Sequence, residues 1–120
     1  MSSPRPGPQA GPIAFMTSVH QACDGLWADL EAALDAEDAA AITALWPRFD
    51  AEVREHLAVE EEVVFPAFED ATGMRGMGPT EVMRMEHVQM RGMLDRMGQA
   101  FGRRDWAGLA DLGDTLLMLT

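Results

Sequence analysis

Apolar residues recur along this chain at alternating steps of three and four, the spacing of helices that each bury one face. Met16, His20, Cys23, Trp27, Leu30 and Leu34 form the first seam, which predicts a helix from Pro12 or Ile13 to Leu34, with Pro12 suited to a first turn. Residues 35–38 make a turn. A second helix over 38–69 carries Ile42, Leu45 or Trp46, Phe49, Val53, His56, Glu60, Val63 and Ala67 on its seam. Pro47 marks a place for a kink, and Pro66 is expected to cap or bend the last turns. The stretch "ATGMRGMGPT" reads as a loop because of its Gly and Pro, with Thr80 as N-cap of the next helix and Glu81 near its positive end. That third helix runs to Phe101 with Met83, His87, Met90, Leu94, Met97 and Phe101 inward. After the turn "GRRD" a fourth begins at Asp105, with Leu109, Leu112, Leu116 and Leu119 on one side. Short connections between neighbours predict an all-α, up-down-up-down four-helix bundle.

Composition agrees and narrows the partners. Tyr is absent, and runs of β-branched and aromatic residues in period-2 alternation are missing. The 20 acidic and 9 basic residues give a formal net charge of -11, which repels phosphate backbones and anionic membrane surfaces, so neither nucleic acid nor membrane is an expected partner. No stretch reaches the roughly 18 apolar residues of a membrane span. Residues 1–11, rich in Pro and Gly and without an apolar core, read as a flexible N-terminal arm rather than a secretory signal, which leaves 12–120 as the bundle domain. With Cys23 as the only cysteine there is no disulfide framework, and a reducing cytoplasm is the expected location.

The seams contain residues that a core should exclude. The chain's 3 histidines, His20, His56 and His87, all fall on predicted buried faces, one per helix, and Glu60 joins them one turn from His56. At about 1.5 Å of rise per residue, His20 lies roughly 11 Å above the start of the first helix and His87 about 10 Å above the start of the third; Glu60 and His56 lie about 14 and 20 Å above the end of the descending second. All four converge on one layer. A lone buried Glu would cost several kcal/mol or take up a proton, whereas a cation among imidazoles and a carboxylate satisfies every group. That donor set suits Fe, Zn, Mn or Cu, and the scarcity of thiolate disfavours iron–sulfur and structural zinc sites. Met83, Met90 and Met97 read as gap-filling core residues, and Cys23 as a small packed one. Glu61, Glu62 and Glu86 read as solvated, with Glu61 or Glu86 placed to orient a ligating His.

These residues resemble the hemerythrin-like, or HHE cation-binding, family. "HLAVEEEVVFP" is similar to that family's His-x-x-x-Glu-Glu pattern followed by an aromatic-Pro pair, with His20 in "SVHQACDGLW" and His87 in "EHVQMRGML" completing the order. The resemblance implies a bundle around a non-heme, usually dinuclear, iron centre. By it, His20, His56 and His87 would be terminal ligands and Glu60 a bridging carboxylate, with zinc or manganese as substitutes. Met83 stands where oxygen carriers of the family have a further His. The family also draws a His and a carboxylate from its fourth helix, and neither is present here. Counted from Asp105, a descending helix needs roughly 13–15 residues to reach the metal layer, so it arrives only at residues 118–120 and beyond. The expectation is therefore a shortened fourth helix in a C-terminally truncated domain, with an incomplete second metal position. It leaves an uncovered seam near His20 and His87 that favours a homodimer.

Three functions compete at this level. The first is a metal-binding domain that binds or senses O2 or NO, or responds to redox and iron status. The second is a di-iron oxidase- or peroxidase-like or iron-handling activity; no dedicated acid–base residue is visible, which favours binding over turnover. The third is a metal-free helical interaction module.

Overall fold

A computed structural model describes residues 12–118, with side chains described from Cys23 onward. The proposed N-terminal arm, and Leu119 on the fourth seam, lie outside the described residues. The described chain is an all-α bundle without strands. Helix α1 spans Pro12–Asp35, α2 Ala39–Val59, α3 Phe65–Thr72, α4 Pro79–Gly102 and α5 Trp106–Met118. A five-residue π-helical turn, Glu60–Val64, joins α2 to α3, so the pair forms one long rod.

Neighbouring rods pack in a closed ring: α1 on α2, α2 on α4, α4 on α5, and α5 back on α1. Short caps set this order. The Asp38 carboxylate accepts from the Ala41 amide at 3.2 Å and starts α2, after a left-handed Glu37 (φ 52°) turns the chain. Likewise Asp105 accepts from the Gly108 amide at 2.9 Å, following left-handed Arg104 (φ 55°). Gly73, at φ 73°, ends α3 in the left-handed conformation that glycine adopts without strain. At the start of α4 the expected cap differs: Gly78 holds the N-cap position, while Thr80 lies inside the helix, buried, and donates its hydroxyl to Glu69 at 2.7 Å. Pro79, at the first position, supplies the start that Thr80 was expected to give.

The core follows most of the expected seams. Leu30, Ile42, Phe49, Leu94, Met97 and Leu109 are almost fully enclosed. Two departures have clear causes. On α5 Leu112 is half-buried against the core, and the more enclosed neighbouring position is Gly113, where the Trp27 ring fills the space that a side chain would need. On the second rod Val63 is 45% exposed and Ala67 is also outside, while Val64, Phe65 and Glu69 are buried. There the Phe65 amide bonds the Glu60 carbonyl five residues back, so every later side chain is displaced by one position. Pro66 explains the widening: it has no N–H, and its ring would clash with a carbonyl four residues back in a regular helix. The Glu61 carbonyl, which the Phe65 amide would have met in a regular helix, instead accepts from Arg84 at 3.5 Å. Pro47, by contrast, lies within α2 without ending it.

Candidate metal centre

The π turn delivers Glu60 to the bundle interior, where it is 4% exposed, and α4 brings an equally buried His87 against it. The His87 Nε2 lies 2.9 Å from Glu60 Oε2. On its other edge, His87 Nδ1 lies 2.7 Å from Glu61 Oε2. Arg91, one turn further along α4, clamps Glu61 with two bonds of 2.6 and 3.1 Å. Phe65, first residue after the turn, lays its ring 5.2 Å from the imidazole. The order along this line is Arg91, Glu61, His87, Glu60. Burial alone would lower the His87 pKa, but the hydrogen bonds to Glu60 and Glu61 outweigh it and hold the pKa above its ordinary value. For Glu61, burial pushes upward, and Arg91 and His87 more than offset it, leaving the carboxyl below the usual range.

His56 is buried on the last turn of α2. Its Nδ1 lies 3.3 Å from the Cys23 sulfur on α1, and its Nε2 3.8 Å from a Glu52 carboxylate oxygen. Cys23 thus packs against the core, as its size suggests, and also touches a candidate site residue. His20 belongs to α1, but its side chain lies outside the described residues. Glu60 and His87 are therefore brought together, His56 lies one turn along the same rod, and among the described residues no three His, Cys, Asp or Glu side chains converge into a ready-made cation cage.

The sequence pattern does not single out every contributor: it offers Glu61 only as an alternative to Glu86 for orienting a histidine, and it gives Arg91 no role. Arg84 and Arg91 stand three residues before and four after His87, which puts them on one flank of α4 facing the acidic run 60–62. That spacing was the available signal. Arg84 also pairs with Glu69 at 3.1 Å and covers the Phe65 ring at 5.2 Å. The Thr80–Glu69–Arg84 cluster fastens α3 to α4 just beyond the candidate centre. Met83, half-buried one turn before His87, packs against the small apolar cluster of Val64 and Phe65.

Among the described residues the fit to a cation rests on one pair, Glu60 and His87. Two ligands bound side by side to one ion at about 2.1 Å lie roughly 3 Å apart, so the 2.9 Å separation of His87 Nε2 and Glu60 Oε2 needs little rearrangement. Glu61 on Nδ1 directs Nε2 toward that position, the arrangement in which a second carboxylate orients a ligating imidazole.

A closed ring of four rods with an imidazole and a carboxylate paired inside it defines the class of helical bundles that build polar sites in their cores. The hemerythrin HHE cation-binding domain model matches residues 11–119, nearly the whole chain, and the protein belongs to that family. It carries a cation-binding domain. No curated protein and no solved structure matches the chain. None of the described helices is long and apolar enough to cross a membrane.

Proposed function

We propose that this protein binds iron through His56, Glu60 and His87, with His20 as the ligand from α1, and that it responds to O2, NO or iron status rather than turning over a substrate. The observation that carries this reading is His87 held between two carboxylates, one of them fully buried at the π turn. A plain core histidine needs one partner; this one has an acceptor on each nitrogen and an arginine fixing the outer one. When bound, iron would supply a redox-active Lewis acid, and Phe65 and Met83 give the neighbouring interior an apolar lining. A reducing compartment suits both ferrous iron and the lone thiol of Cys23.

Anaerobic titration with ferrous iron, followed by desalting and elemental analysis, tests the assignment. The parent chain is expected to retain iron, and Glu60→Ala and His87→Ala to lose most of it while keeping helical circular dichroism. Retention unchanged in both variants refutes the ligand assignment. A second reading has one observation in its favour: the cluster closes on itself through protein groups alone, as a metal-free helical module requires. It predicts no retained iron in the parent chain and the same melting temperature with and without iron.

A further inference from the structure

The outer face of α4 is unusually apolar for a bundle helix surrounded by an acidic surface. Val82, Met85 and Val88 are 55%, 61% and 70% exposed, side by side on the face turned away from His87, Met90 and Leu94. Continuing along the same face, Val82, Met85, Gln89, Gly92 and Arg96 follow steps of three and four, a second seam on a helix whose first seam is already buried. At Gly92 nothing lies within 4 Å of where a Cβ would stand, so the backbone there forms an open notch. Glu81 and Arg96 flank the strip at either end, both exposed, and among the described residues neither has a carboxylate or guanidinium partner in its own chain. Arg54, Arg84 and Arg91, by contrast, are paired within the chain.

We propose that this face is a symmetric dimer surface on which α4 of a second copy lies antiparallel, with its twofold axis between Val88 and Gln89. The reason is self-complementarity. In an antiparallel pair about that axis, positions whose numbers share one sum face each other, and three informative pairs do. Glu81 faces Arg96 of the second copy, Met85 faces Gly92, and Val88 faces Gln89. Each pair occurs twice, as an isologous interface demands. Charge meets opposite charge at both ends, and a long flexible side chain meets a notch inside them. A parallel arrangement would set Glu81 on Glu81 and Arg96 on Arg96, and antiparallel packing also opposes the helix dipoles favourably. Glu81 and Arg96 are about 22 Å apart along the helix, so the contact is smaller than a standard interface and the dimer is weak and concentration-dependent. No proposed metal ligand lies on this face, so the inference stands apart from the metal reading.

Sedimentation velocity across a concentration series reaching about 1 mM tests it, on the whole chain, as purified and after chelation. The parent is expected to shift reversibly from monomer to dimer in both states. Glu81→Arg and Arg96→Glu should each weaken the dimer by about tenfold, since two attractive pairs become repulsive. The double variant Glu81→Arg/Arg96→Glu should recover it, and Gly92→Leu should abolish it by filling the notch; helical circular dichroism of each variant confirms the fold. A strict monomer throughout, a dimer indifferent to the single reversals, failure of the double variant to recover, or a dimer that requires iron would each overturn the proposal.

Discussion

Replacing Gly113 with Ala sets two well-known effects against each other, and the structure decides between them. On helix propensity alone the substitution should help, because Ala is favoured over Gly in a helix interior by about 1 kcal/mol. A Cβ at 113, however, would stand 2.7 Å from Cζ2 of Trp27 and closer still to its Cζ3 and Cη2 atoms. Those atoms belong to a rigid ring that is itself buried and tilted against Phe49 at a centroid distance of 5.5 Å, so it has nowhere to retreat. The remaining relief is for α5 to move off α1, which strips contacts around Leu109 and Leu116. Overpacking of this kind costs about 1–3 kcal/mol, and a contact with three rigid ring atoms belongs at the upper end. Set against the propensity gain, the net loss is about 2 kcal/mol. For a chain of this size that lowers the melting temperature by roughly 8 °C. Urea unfolding followed by circular dichroism at 222 nm measures the change, and Trp27→Leu/Gly113→Ala should recover a large part of the steric loss relative to Trp27→Leu alone. If Gly113→Ala unfolds at the same urea concentration as the parent or higher, the idea that Trp27 fixes α1 against α5 through this notch is wrong.

The two carboxylate caps offer a simpler measurement: Asp38→Ala and Asp105→Ala should each cost about 1 kcal/mol by urea unfolding, and the double variant should show the sum because the caps sit on different helices. An acid limb is expected from Glu69. The Thr80 hydroxyl chiefly holds its carboxyl below the ordinary value of 4.5, against the effect of burial and with help from Arg84. The folded state therefore favours the ionised form, and its contribution is fully present above pH about 4.5 and lost as pH falls through the lower, folded pKa. Accordingly the stability gap between the parent and Glu69→Gln should narrow on acidification below that value; a gap constant from pH 7 to pH 3 would exclude this source. Finally, Glu61→Gln should weaken iron binding by about 10–100-fold in competition titrations, with far-UV circular dichroism unchanged, and an unaltered affinity would remove Glu61 from the supporting role given to it by its 2.7 Å contact with His87.

What the sequence made legible, and what it hid, divides at the π turn. Up to Glu60 the three-four rhythm identifies Ile42, Phe49, Val53 and His56 as inward residues, and on α4 it does the same for His87, Met90, Leu94 and Met97, because regular helices carry their periodicity in the sequence. Beyond Glu60 the same rhythm points to Val63 and Ala67, and both are outside. One hydrogen bond spanning five residues instead of four accounts for the slip. Pro66 was visible as a disturbance, but a proline can cap, kink or widen a helix, and only the packing of Phe65 against His87 and of Glu69 against Thr80 selects widening here. The widened turn also explains why the supporting residues were hidden. Counted on a regular helix from Glu60, Glu69 would face outward, and nothing in the chain would tie it to Thr80 or Arg84. With one residue inserted, a buried carboxylate stands on each side of the turn, Glu60 toward His87 and Glu69 toward Thr80, and Arg84 spans the step from the Glu61 carbonyl to the Glu69 carboxylate. A regular helix would place only one of those carboxylates inward, so the irregular turn is what lets a single rod serve both the candidate metal centre and the joint that anchors α4 beside it.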